Sequence, residues 1–79
     1  MQIDMENRDM IIRQAHTRGG KWGIRIEQTA TEHFRVIQTK HGQTTWAGSC
    51  GSLENAEAVY TQQIGLATVI DQIHFIEDK

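Results

Sequence analysis

Two stretches near the middle of the chain alternate apolar and polar side chains, and this alternation constrains the fold more than any other feature. The first sets Trp22, Ile24 and Ile26 against Gly23, Arg25 and Glu27, and the second sets Phe34 and Val36 against His33, Arg35 and Ile37. A period of two residues is typical of a strand that buries one face. We therefore expect an antiparallel sheet built from these two strands and a third strand around Trp46.

The connection between the second and third strands is predicted to be a three-residue hairpin loop, Lys40-His41-Gly42. Such a loop needs a left-handed residue, and Gly42 supplies it without steric cost. The loop gives the cross-strand pairs Thr39–Gln43, Val36–Trp46 and Phe34–Gly48. We prefer it to a two-residue His-Gly turn, because that turn would pair Ile37 with Trp46 and move the tryptophan to the other face.

A helix is predicted directly after the sheet. Ser52 is a good N-cap, and Glu54 and Glu57 stand in the first turns, where the helix dipole favours acids. Helical spacing directs Leu53, Ala56, Tyr60, Gln63 or Ile64, and Ala67 onto the sheet. Two endings remain open. The helix stops at Gly65 and residues 66–76 form a fourth strand, or it runs to about His74 and absorbs Gly65 at a cost of about 1 kcal/mol.

The longer helix would carry a second apolar stripe. Its members occupy the a and d positions of a heptad: Val59, Leu66, Val69, Ile73 and Ile76. A stripe that does not face the sheet needs another cover, either the N-terminal segment or a second chain. We assign these five residues to a homodimer interface.

The N-terminal segment has two interpretations. A helix from Met5 to His16, capped by Asp4 and ended by Arg18-Gly19-Gly20, is slightly favoured. Alternatively, residues 10–16 form a strand that pairs with residues 22–28. The predicted fold class is α+β: an antiparallel sheet of three or four strands, a C-terminal helix packed on one face and an N-terminal helix.

Composition indicates a single small domain over residues 1–79, which is enough chain for one core and no more. Cys50 is the one cysteine, so no internal disulfide can form, and a reducing cytoplasm is expected. No apolar run is long enough for a membrane span, and the N-terminus lacks the apolar core of a signal peptide. The four histidines have no ligand spacing, so we expect no metal and no cofactor.

Charge is distributed unevenly along the chain. Residues 8–41 hold seven Lys or Arg against three acids, whereas residues 42–79 hold one Lys against five acids. The outer face of the sheet is expected to present Arg25, His33 and Arg35 beside Glu27, either as a binding face or as a solvated cover of mixed charge. Together with Lys21 and Lys40, the three basic side chains are the predicted partner-binding residues.

The stretch Gly48–Ser52 has a plain structural interpretation as a strand-to-helix turn. It also invites interpretation as a nucleophilic Cys50 at a helix N-terminus or as an anion nest. Glu54 and Glu57 follow directly and would oppose both a thiolate and a phosphate. No carboxylate pair, serine triad or metal cluster is visible, so a non-enzymatic function is predicted.

Residues 20–64 resemble the three-strand-plus-helix DNA-binding modules of plant ethylene-response factors and phage-type integrases. The resemblance rests on Gly20-Lys21-Trp22, on Trp46-Ala47-Gly48, and on Glu54, Ala56-Glu57-Ala58 and Tyr60. It implies DNA contacts through Trp22, Arg25, Arg35 and Trp46. The sheet departs from that family because it has few basic side chains, and the acids Glu27 and Glu32 lie among them. The helix is also acidic. A second, looser resemblance, in size and acidity, is to small phage inhibitors such as anti-CRISPR proteins.

From the sequence we therefore predict a protein-binding module that occludes a partner surface, in the manner of a phage-type inhibitor or regulator. The charged sheet residues would supply specificity, and the heptad stripe would supply burial. A small DNA- or RNA-binding regulator that uses the sheet face is the alternative.

Overall fold

The computed structural model describes residues 10–78, and these form a five-stranded antiparallel sheet with one helix. The strands are β1 Met10–Thr17, β2 Trp22–Ala30, β3 His33–Lys40, β4 Gln43–Cys50 and β5 Phe75–Glu77, and the helix α1 spans Leu53–Asp71. The strand order is β4-β3-β2-β1-β5. The predicted α+β class with a C-terminal helix is confirmed. The prediction of three or four strands is wrong, because the described residues form five.

The favoured N-terminal helix is wrong for the residues that can be compared. Met10–Thr17 is a strand that pairs with β2, as in the alternative interpretation, and residues 5–9 lie outside the described part of the chain. The physical reason lies in β2, whose side chains are buried on both faces. A central strand needs backbone partners along both edges, and a helix at this place would leave one edge of β2 unpaired.

The predicted hairpin register is also wrong in its loop, although Trp46 keeps the face expected for it. His41 and Gly42 form a two-residue turn with both residues at positive φ (53° and 80°), and Lys40 pairs with Gln43. A β-bulge then shifts the register between Gln38 and Thr39. The extra residue is Thr45 in β4. It returns Trp46 to the face that the two-residue turn alone would have taken it from. The resulting pairs are Gln38–Trp46, Val36–Gly48 and Phe34–Cys50.

The helix begins and continues as the longer prediction requires. The Ser52 side chain accepts a hydrogen bond from the Asn55 backbone N–H at 3.1 Å, which confirms the N-cap. The helix runs through Gly65 and ends at Asp71, a few residues short of His74. Gln72 then adopts the left-handed conformation, and the Ile73 N–H donates to the Ala67 carbonyl. The fourth strand proposed over residues 66–76 is therefore wrong except for its last residues, which enter β5.

The core lies between α1 and one face of the sheet. Side chains from all five strands contribute to this core: Ala15 from β1, Ile24 and Ile26 from β2, Phe34 and Val36 from β3, Cys50 from β4 and Phe75 from β5. The helix contributes Ala56 and Tyr60 at the centre, with Val59 and Ile64 beside them. Ala56 is the small residue that allows the helix backbone to come close to the sheet, and Tyr60 fills the remaining space.

Tyr60 is 1% exposed, and its hydroxyl has no hydrogen-bond partner among the described residues. Burial raises the pKa of the phenol to about 12, because the charged form loses its hydration. The ring therefore contributes apolar contact, while the hydroxyl opposes folding.

Tyr60→Phe is expected to leave the free energy of unfolding unchanged or raise it by up to about 1 kcal/mol. Tyr60→Ala is expected to lower it by about 3–5 kcal/mol through the cavity left behind. Urea unfolding followed by circular dichroism measures both. Because the phenol pKa is higher in the folded than in the unfolded chain, wild-type stability should fall as pH rises from about 10 towards 12. Tyr60→Phe should not show that loss, and a matching loss in this variant would contradict the argument.

A bidentate ion pair fastens the short strand β5 to β1. Arg13 donates to both carboxylate oxygens of Glu77, at 2.8 and 2.7 Å, and its guanidinium lies 4.7 Å from the centre of the Tyr60 ring. The hydrogen bonds from Arg13 hold the pKa of Glu77 below its ordinary value. This stack of three side chains connects both strands to the helix.

Glu77→Gln is expected to lower stability at pH 7 by less than about 1 kcal/mol, since the pair is partly solvated. Because the pKa of Glu77 is lower in the folded chain, the ion pair stabilises the fold fully at pH values above the ordinary carboxyl pKa. This stabilisation is lost as the pH falls through the pKa of Glu77 in the folded chain. A double-mutant cycle with Arg13→Gln, measured by urea unfolding at pH 7 and at acid pH, checks this. The coupling energy should disappear in acid, and a coupling that persists there would exclude the ion pair as its source.

Candidate functional site

The face of the sheet opposite α1 carries a cluster of three charged side chains, Arg25, Glu27 and Arg35, called here the charged face. Arg25 and Glu27 are two residues apart on β2, and Arg35 lies directly across from Glu27 on β3. The Arg25 Nε donates to one Glu27 oxygen, and the Arg35 Nη2 donates to the other at 3.2 Å. The predicted sharing of one face by these residues is confirmed.

Glu27 is buried to 7% exposure at the centre of this cluster, whereas both arginines are partly exposed. A buried carboxylate is stable only where charges or donors compensate its lost hydration, and the two guanidiniums supply them. Both arginines are therefore engaged with Glu27, and the cluster carries a net charge of +1 rather than +2.

The remaining predicted partner-binding residues lie elsewhere. Lys21 and Lys40 both lie at the hairpin end of the sheet, where the His41 N–H donates to the Lys21 carbonyl at 2.7 Å and Lys40 pairs with Trp22. His33 is exposed at the opposite end of β3, across from Ala30. The structure thus brings Arg25 and Arg35 together and places Lys21 and Lys40 at one end of the sheet, but does not gather the five residues into one site.

Both tryptophans lie on the helix side of the sheet by their register. Trp22 is half-buried, and the Lys40 ammonium lies 5.1 Å from the centre of its ring. The Trp46 ring lies along its own strand, and a Cβ at Gly48 would come within 2.9 Å of it. Gly48 therefore provides the flat backbone on which this ring packs. The four residues implied by the DNA-binding resemblance are divided between two faces, since Arg25 and Arg35 point to the other side.

The residues of the predicted heptad stripe also separate. Val59 packs against the core, Ile73 is buried after the helix has ended, and Ile76 is exposed in β5. Leu66 and Val69 remain exposed on α1, and Ile70 joins them. The heptad assignment missed Ile70 because it selected a and d positions alone. The i, i+3 and i+4 spacing of residues 66, 69 and 70 was the available signal.

These three side chains form the helix patch, defined here as Leu66, Val69 and Ile70. They are 44%, 80% and 69% exposed, and they occupy one side of the last two turns of α1. Single exposed apolar residues are ordinary on protein surfaces, but a contiguous group of large ones is characteristic of an interaction surface. The helix has acids at Glu54, Glu57 and Asp71 and contains no Lys or Arg.

The residues that suggested chemistry are not assembled into a metal site in the described part of the chain. Cys50 is half-buried and packs against the core beside Phe34. No group of three or more His, Cys, Asp or Glu side chains between residues 10 and 78 is placed to hold a metal ion. The helix described here is also not apolar enough to cross a membrane.

No family model matches this chain, and neither a curated protein nor a solved structure is significantly similar to it. The resemblances to DNA-binding modules and to small phage inhibitors therefore stay predictions.

Glu27→Gln is expected to lower the free energy of unfolding by about 2 kcal/mol, because it removes the charge that compensates two neighbouring guanidiniums. Urea unfolding at pH 7 measures the change. Glu32→Gln, in the exposed turn between β2 and β3, is the matched control and should have little effect. Equal effects of the two substitutions would show that Glu27 contributes no more than a surface charge.

Proposed function

We propose that this chain is a non-enzymatic protein-binding module that covers a partner surface with the helix patch. The observation that carries the proposal is the exposure of three large apolar side chains on one side of α1. Within a monomer Val69 and Ile70 contribute little to stability, since most of their surface stays in water, and Leu66 keeps nearly half of its surface exposed. Their placement is better explained by burial against a second protein.

The chemistry of the surroundings indicates what such a partner presents. Asp71 closes the helix beside the patch, and the last turn of α1 has no basic residue. Interfaces commonly combine an apolar centre with a rim of complementary charge. A partner with an apolar groove bordered by Lys or Arg would fit this helix, and capture of that groove would occlude it for other ligands.

The alternative, nucleic-acid binding through the sheet, receives support from the partial exposure of Arg25 and Arg35 on one face. It is the weaker candidate, because the Glu27 carboxylate between the two arginines repels phosphate and lowers the net charge of the face. The acidic helix adds to this repulsion.

Val69→Gln with Ile70→Gln tests the protein-binding proposal. Glutamine keeps the helix propensity and removes the apolar surface, so the fold should be retained while partner binding is lost. The measurement is affinity capture from a lysate of the source organism, followed by titration of the captured protein against the purified chain. Ala58→Gln with Thr61→Gln, at exposed positions earlier in α1, is the matched control.

Capture that survives in the patch variant and the control alike would contradict the proposal. Fluorescence anisotropy with DNA and RNA, at low and physiological salt, tests the alternative. Binding that weakens steeply as salt rises, and that is reduced by Arg25→Ala with Arg35→Ala, would favour the nucleic-acid function instead.

A further inference from the structure

The two edges of the sheet differ in length and in charge. At one edge, β5 is three residues long, carries Glu77 in its ion pair with Arg13, and is followed by Asp78. A short, charged strand of this kind resists pairing with further chains. At the other edge, β4 is eight residues long and, among the described strands, pairs with β3 alone.

β4 has one of the features that protect an edge strand, a bulge whose extra residue, Thr45, lies near the hairpin turn, and it lacks the others. Gln43–Cys50 contains no charged residue and no proline, and its residues are exposed or half-exposed. Beyond the bulge, the stretch from Trp46 to Cys50 pairs regularly with β3. Its outward backbone N–H and C=O groups form a row that another strand can bond.

We propose that β4 pairs antiparallel with the β4 of a second copy of this chain, so that two five-stranded sheets join into one. A two-fold axis at this edge bonds the outer edges of both β4 strands, which have no partner among the described residues, in a single contact. The absence of charge in β4 means that self-pairing brings no like charges together, whereas the β5 edge would oppose Glu77 and Asp78 of two copies. An extended segment of another protein would satisfy one edge and leave its own second edge unpaired.

The edge contact is separate from the helix patch. The patch lies on α1, while the contact uses the backbone of β4 and the side chains beside it. Each dimer would present two patches, which strengthens binding to a partner with two matching sites. The inference therefore stands whether or not the patch binds a protein.

Ala47→Lys is the informative substitution. Ala47 is exposed on β4, and a lysine there would lie close to its counterpart across the two-fold axis. Sedimentation equilibrium from low to high micromolar concentration should give a dimer for the wild-type chain and a monomer for this variant. Ala58→Lys, an exposed alanine on α1, is the matched control and should remain dimeric.

Val69→Gln with Ile70→Gln distinguishes this contact from dimerisation through the helix. That variant should stay dimeric; a monomer here, with Ala47→Lys still dimeric, would overturn the proposal. A wild-type chain that is monomeric throughout would overturn it as well. Amide hydrogen exchange of the unaltered chain gives a readout independent of any substitution: amides in β4 should exchange more slowly at high than at low concentration, and equal rates would exclude the contact.

Discussion

Tyr60 and Ala56 of α1 pack onto the apolar side chains of the two central strands β2 and β3, and the rest of the structure depends on this contact. A chain of 79 residues can bury only a small core, so each central side chain carries a large share of the stability. Ala56 brings the helix close to the sheet, while the Tyr60 ring reaches the Arg13 guanidinium and so connects the core with β1 and β5. The phenol hydroxyl has no hydrogen-bond partner among residues 10–78, which indicates that packing outweighs polar satisfaction at this position.

This packing also decides which surfaces are available for function. Because α1 directs Ala56, Tyr60 and Ala67 towards the sheet, Leu66, Val69 and Ile70 are left on the outside. On the other side of the sheet, the arginines that looked like binding residues are engaged with Glu27. The packing therefore leaves a group of exposed apolar side chains on α1, and on the sheet a charged group that is partly neutralised within itself.

Much of the fold could be predicted because its signals are local. The alternation in β2 and β3, the Ser52 cap and the helical spacing from Ala56 to Ala67 each depend on neighbouring residues, and each is confirmed. The same spacing directed Leu53 onto the sheet, and this was wrong, because Leu53 is exposed. The strand at 10–17 could not be decided locally, since its sequence fits a helix or a strand. Pairing with β2 decided it.

The hairpin register could not be predicted for a related reason: a bulge adds one residue to a strand and leaves no clear signal in the sequence. Of the candidate site, the grouping of Arg25, Glu27 and Arg35 followed from the alternation, whereas the separation of the heptad residues did not.

The sequence by itself determined the α+β class, the order of the central strands and the start of the helix, because turn residues, caps and side-chain periodicity act over a few positions. Only the tertiary structure decided that the described residues form five strands with β4 at one edge, and that Val59 and Ile73 pack inward while Leu66, Val69 and Ile76 are exposed. Those outcomes depend on contacts between residues far apart in the chain, and such contacts are settled by the shared burial of one core rather than by any local pattern.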